Sequence, residues 1–114
     1  MHEMSITQGI IDICEQHAGG RRVRSVDVEI GELSSVVPES IEFCFEACSQ
    51  GTLLEGARIT IVRIPGSGQC QDCGRETPLT TLFDSCKQCG SYHVTILTGE
   101  EMSVREIEVA DDLV

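Results

Sequence analysis

Four cysteines within twenty residues constrain this chain more than any other feature. Cys70-Gln71-Asp72-Cys73-Gly74 and Cys86-Lys87-Gln88-Cys89-Gly90 give the spacing C-x2-C-x12-C-x2-C. Each pair sits on a tight turn, so its two thiolates converge on one point. The glycine after each pair can take a positive φ and lets backbone N–H groups turn toward sulfur. Two such knuckles supply four thiolates in a tetrahedron, the donor set of a structural zinc site with no open position. The twelve-residue spacer is short, yet a hairpin can span it. Four thiolates also bind iron, but the aromatic shell that usually buries such a redox centre is missing, with only Phe83 and Tyr92 nearby. A thioredoxin-like role needs a reactive C-x-x-C that opens a helix, and neither pair does. A module of roughly 30 residues has almost no core of its own. A bound metal can supply folding free energy there on the order of 10 kcal/mol.

The remaining composition sets this module in context. The chain has 114 residues, room for one domain or a small domain plus a small module. Its seven cysteines are an odd number, which does not suit a closed disulfide framework. The formal net charge of −11 argues against nucleic acid and anionic membrane surfaces as partners. No apolar run approaches the ~18 residues a membrane span needs. The N-terminus lacks the basic-then-apolar layout of a signal peptide, so a cytoplasmic protein with reduced thiols is expected. Residues 1–64 carry ten acids and five bases, residues 65–97 three and two, and residues 98–114 six and one. The nearly neutral, cysteine-rich piece therefore lies between two acidic segments.

Hydrophobic periodicity predicts the elements around it. Residues 4–18 read as a helix with Ile6, Ile10, Ile13 and His17 on one face, ended by Gly19-Gly20. Residues 23–30 alternate as a strand. Pro38, Glu39 and Glu42 start a second helix with Ile41, Cys44, Phe45 and Cys48 on its apolar face and Gly51 as its stop. Residues 57–64 form a β-branched strand closed by Pro65-Gly66. In 101–109, Met102 and Val104 differ in parity from Ile107 and Val109, which predicts a β-bulge near Arg105-Glu106. The expected fold is α+β: a small three-stranded sheet packed with two helices, formed by 1–64 and 98–114. A zinc-ribbon-like module, 65–97, is inserted between the second and third strands. Cys14, Cys44 and Cys48 fall on helical core faces and read as buried small hydrophobes. His17 continues a helical stripe. His93, four residues after Cys89, is a surface histidine or a pH-sensitive neighbour of the zinc module. Glu100-Glu101 and Asp111-Asp112 read as a solvated acidic edge.

The chain opens Met1-His2-Glu3. Removal of Met1 normally requires a small second residue, so Met1 should stay. The free amine, the His2 backbone nitrogen and the His2 imidazole can close fused chelate rings on one ion. The Glu3 backbone nitrogen can complete a planar set, a field that favours Ni(II) or Cu(II). The Glu3 carboxylate is an alternative ligand, an outer neighbour of the ion, or simply an acid in the first helical turn.

Met1-His2-Glu3-Met4-Ser5 resembles the start of the HypA/HybF family of nickel-incorporation proteins for NiFe-hydrogenase maturation. The resemblance continues through Ile30-Gly31-Glu32-Leu33-Ser34, Pro38-Glu39, Glu42-Phe43-Cys44-Phe45-Glu46 and Glu55-Gly56-Ala57. It includes both cysteine knuckles, Gly99-Glu100-Glu101 and Ile107-Glu108-Val109. It implies a two-part, non-enzymatic metallochaperone. One part would bind a transferable nickel through the N-terminus, with His2 as the essential ligand and Met1 and Glu3 beside it. The other would hold structural zinc on Cys70, Cys73, Cys86 and Cys89 and help to dock partners. The implied partners are a HypB-type GTPase and the hydrogenase large-subunit precursor, with urease as a possible second client. The competing readings are a zinc-ribbon adaptor with a trivial N-terminus and a thiol or iron redox protein. No Ser/His/Asp set, phosphate loop or acid–base pair is evident in the sequence.

Overall fold

The computed structural model describes residues 3–113. In chain order the elements are α1 (Glu3–His17), β1 (Arg21–Gly31), α2 (Pro38–Cys48), β2 (Arg58–Ile64), β3 (Gly66–Cys70), β4 (Glu76–Leu79), β5 (Val94–Thr98) and β6 (Met102–Leu113). They make two three-stranded sheets, ordered β2-β1-β6 and β4-β3-β5. The α+β class expected from the periodicity is the class observed.

The chain divides into two compact units. The first comprises Met1–Glu29, Val36–Val62 and Ser103–Val114; the second comprises Ile30–Ser35 and Arg63–Met102. The expected boundaries, 65–97 for the inserted module, did not include the 30–35 segment.

In the first unit, α1 and α2 pack together over a core of Ile10, Ile11, Cys14, Val23, Val26, Val28, Ile41, Phe45 and Leu54. The α1 face differs from expectation. Thr7, Ile10, Ile11 and Cys14 are buried, whereas Ile13 is 45% exposed and His17 is exposed. The two stripes share Ile10 and are centred roughly 80° apart, so both satisfy the helical period. The buried one contains a threonine, which conceals it in the sequence. Thr7 can be buried because its hydroxyl donates to the Glu3 carbonyl at 2.7 Å. α2 starts where Pro38 predicts, with Glu39 in its first turn, and its C-terminal cap Ser49 donates its N–H to the Phe45 carbonyl. Cys14 is fully buried as expected, but Cys44 and Cys48 are only half-buried. Along β6, Met102 and Val104 are half-buried, Arg105 and Glu106 are both exposed, and Ile107 and Val109 are half-buried again. That phase shift is what a bulge at Arg105-Glu106 produces.

In the second unit, β3 pairs antiparallel with both β4 and β5, with a register shift between Ser67 and Gly68 on the β5 side. The 30–35 segment, the end of β1 and the turn after it, belongs here because its backbone is stitched in. Gly31 N–H donates to the Glu101 carbonyl at 2.7 Å, Glu32 N–H to Ile64 at 2.9 Å, and Leu33 N–H to Gly99 at 2.8 Å. Leu33 is buried against two glycines: a Cβ on Gly66 or on Gly99 would come within 2.9 Å of its side chain. A Cβ on Gly31 would overlap the Gly99 carbonyl. The Gly31-to-Ser34 stretch, where β1 ends, therefore owes its composition to close approach of backbones.

Candidate metal centre

The two C-x-x-C turns lie at the tip of the second sheet. Cys70 ends β3, and the turn after it is closed by Gly74 N–H donating to the Cys70 carbonyl at 2.9 Å. Gly90 N–H donates to the Cys86 carbonyl in the same way, at 2.8 Å. Gly74 and Gly90 have φ of 78° and 77°. A Cβ on either meets nothing within 4 Å, so glycine is needed for its backbone angle and not for space. Backbone N–H groups point at sulfur as the knuckle pattern requires: Cys73 N to Cys70 Sγ at 3.5 Å and Gln88 N to Cys86 Sγ at 3.4 Å.

These turns bring the four sulfurs within 4.8 Å of one another. The nearest pairs cross between the knuckles, Cys70 to Cys89 at 3.5 Å and Cys73 to Cys86 at 3.7 Å. Four sulfurs at ~2.3 Å from a tetrahedral zinc stand ~3.8 Å apart, close to the spacing of these two pairs, so the set suits such an ion. Cys70 and Cys86 are buried, while Cys73 and Cys89 face solvent. The thiols are electrostatically inequivalent. The Cys73 backbone N–H pulls Cys70 down to about 6. The Ser91 backbone N–H acts to lower Cys89, but hydrogen bonds among the neighbouring thiols and desolvation outweigh it and push Cys89 up to about 12. Four thiolates at this spacing repel one another, and a divalent cation removes that conflict.

Beside the knuckles, the Asp72 carboxylate accepts a short hydrogen bond from the Ser91 hydroxyl and lies 3.3 Å from His93 Nδ1. The Ser91 hydroxyl first, and His93 after it, hold the Asp72 carboxyl below its usual range. His93, 78% exposed at its side chain, is thus a surface residue tied to the outer wall of the cysteine cluster. No sequence spacing pairs Asp72 with His93; the β3–β5 register does.

Met1 and His2 lie outside the described residues. Glu3 is half-buried in the first turn of α1 and lines an open groove of about 470 Å³ with Met4, Glu39, Ser40, Phe43 and Cys44. Among the described residues, the four-cysteine cluster is the one group of three or more His, Cys, Asp or Glu side chains close enough to share an ion. No described helix is long and apolar enough to cross a membrane.

A small α+β sheet-and-helix unit, joined in one chain to a zinc-ribbon-like four-cysteine unit, defines a metal-handling protein with a closed metal site in its second unit. The profile described as "Hydrogenase/urease nickel incorporation, metallochaperone, hypA" matches residues 1–109. The hydrogenase maturation factor HypA of Geobacter metallireducens is 59% identical over 109 residues, 96% of this chain and 99% of that one. Its counterpart in Trichormus variabilis is 50% identical over 111 residues, 97% of each chain. The solution structure of the Ni metallochaperone HypA from Helicobacter pylori superposes with a TM-score of 0.68 at 27% identity, covering 98% of this chain and 100% of that one. The chain belongs to the HypA family of hydrogenase maturation metallochaperones.

Proposed function

We propose that this chain carries nickel on its N-terminus and delivers it during hydrogenase maturation, while zinc on Cys70, Cys73, Cys86 and Cys89 holds the second unit together. The observation that carries this reading is the family match beginning at residue 1, over a chain that opens Met1-His2-Glu3. His2 is the essential nickel ligand, with the Met1 amine and the His2 and Glu3 backbone nitrogens completing a planar set. Nickel is cargo: it would leave by exchange of these nitrogen ligands for donors of the recipient, with no catalytic step. The zinc ion is resident, because four protein thiolates leave it no open position. The recipients are a HypB-type GTPase and the hydrogenase large-subunit precursor, met in the cytoplasm, with urease a possible further client.

Nickel titration of untagged protein tests this against His2→Ala and against a variant extended by residues before Met1. Both changes should abolish tight binding, the second because it removes the free amine and keeps His2. Affinity should also fall steeply below about pH 6, since the imidazole and amine, with reference pKa values of ~6.5 and ~7.7–8.0, must lose protons to bind. Equal nickel binding by all three proteins, or a flat profile from about pH 5 to 8, would leave only the four-cysteine adaptor reading.

A further inference from the structure

We propose that Met4, Cys44 and Cys48 form a second, sulfur-only metal site selective for cuprous ion. Met4 sits in the first turn of α1, and Cys44 and Cys48 stand four residues apart on one face of α2. The packing of α1 on α2 brings the Cys48 thiol to 3.0 Å from the Met4 thioether. Cys44, one turn earlier, lines the same groove as Met4. The fold thus sets the Met4 sulfur on Cys48 with Cys44 one helical turn away, although forty residues or more separate Met4 from both cysteines in sequence.

Exposure separates this cluster from ordinary packing sulfur. Cys14 is fully buried, and burial pushes its thiol up to about 11, so it acts as a small hydrophobe. Met4 is 54% exposed and lines the groove with Cys44, and both Cys44 and Cys48 are only half-buried, so none of the three sulfurs is sealed from an incoming ion. Among the described residues the groove is lined by the Glu3 and Glu39 carboxylates and by no cationic side chain, which favours a cation at its mouth. Two thiolates suit zinc as well, but a thioether beside them favours Cu(I), the oxidation state copper holds in a reducing compartment. Binding replaces one or both thiol protons, which pass to solvent, and changes no oxidation state. The thioether stays neutral, so the site needs no reductant or oxidant.

The experiment is an anaerobic titration of the full-length, metal-loaded protein with cuprous ion buffered by a chromophoric chelator. The parent should take up roughly one equivalent while the four-cysteine metal stays bound. Met4→Leu keeps the bulk of the side chain and removes only its sulfur. It should weaken uptake by about tenfold or more, since losing a direct donor costs at least what losing an outer neighbour does. The paired Cys44→Ser and Cys48→Ser change should abolish uptake, and His2→Ala should leave it unchanged. If the paired variant fails to fold, Met4→Leu carries the test alone. Equal uptake by parent and Met4→Leu, no uptake by the parent, loss of uptake in His2→Ala, or release of the four-cysteine metal in step with copper entry would each overturn the proposal.

Discussion

At the scale of single residues, the metal centre depends on two backbone angles as much as on four sulfurs. Gly90 holds φ at 77° and is surrounded by open space. An alanine there meets no steric obstacle but must adopt a left-handed conformation that costs about 1–2 kcal/mol. That strain exists only while the knuckle is formed, so it comes off the metal affinity. Gly90→Ala should lower affinity roughly 5- to 30-fold in competition with a chromophoric chelator. Gly90→Asn should lower it less, because asparagine tolerates that angle better. If both variants bind like the parent, the N–H geometry of the knuckle is not what holds the ion. Cys14 gives a second single-residue prediction, in the alkaline range. Its folded pKa is raised by burial from an ordinary 9.0 to about 11. Between those values the unfolded chain loses a proton that the folded chain keeps, so stability falls as pH rises and is complete below about 9. Denaturant melts at pH 8 and 10.5 should show this loss in the parent. Cys14→Ala should lose less between the two pH values.

At the scale of elements, what the sequence makes legible is uneven for physical reasons. Strand alternation in β1, the Pro38 start of α2 and the parity break in β6 are all local signals, and each appears in the fold. The buried face of α1 is not local. Cys14 is legible as a core residue, but Thr7 joins it only because its hydroxyl is satisfied within the helix. A stripe counted by hydrophobicity alone therefore turns toward Ile13 and His17. The two stripes predict different mutational costs. Ile11→Ala should destabilise by about 2–5 kcal/mol, since Ile11 is fully buried. Ile13→Ala, at 45% exposure, should stay within about 1 kcal/mol. Chemical denaturation of both variants decides between the stripes; the reverse order would restore the one containing Ile13. The placement of the 30–35 segment is hidden for another reason. Its hydrogen bonds run to Ile64, Gly99 and Glu101, more than thirty residues away, and no periodicity encodes them.

At the scale of the whole molecule, the cysteine spacing gave away the metal set, because both knuckles are short-range objects and only their meeting is long-range. That meeting makes the two units unequal in what sustains them. The first contains both helices, of 15 and 11 residues, and most of the buried aliphatic side chains. The second has three short strands, two buried cysteines, and little else at its knuckle tip that is fully enclosed. Without a cation, its four thiols are left within 4.8 Å of one another and cannot all ionise. Removing the metal therefore takes away both the cross-link and the charge balance, a loss on the order of 10 kcal/mol for a small thiolate site. Stripping it with a strong chelator should unfold residues 63–102 and the 30–35 segment, while α1 and α2 persist. Helical circular dichroism should then be nearly unchanged. The amide protons of Gly74 and Gly90, which close the two knuckles, should exchange rapidly. Returning zinc should restore their protection. Loss of the helical signal at the same chelator concentration would mean instead that the two units unfold together and that the metal stabilises both.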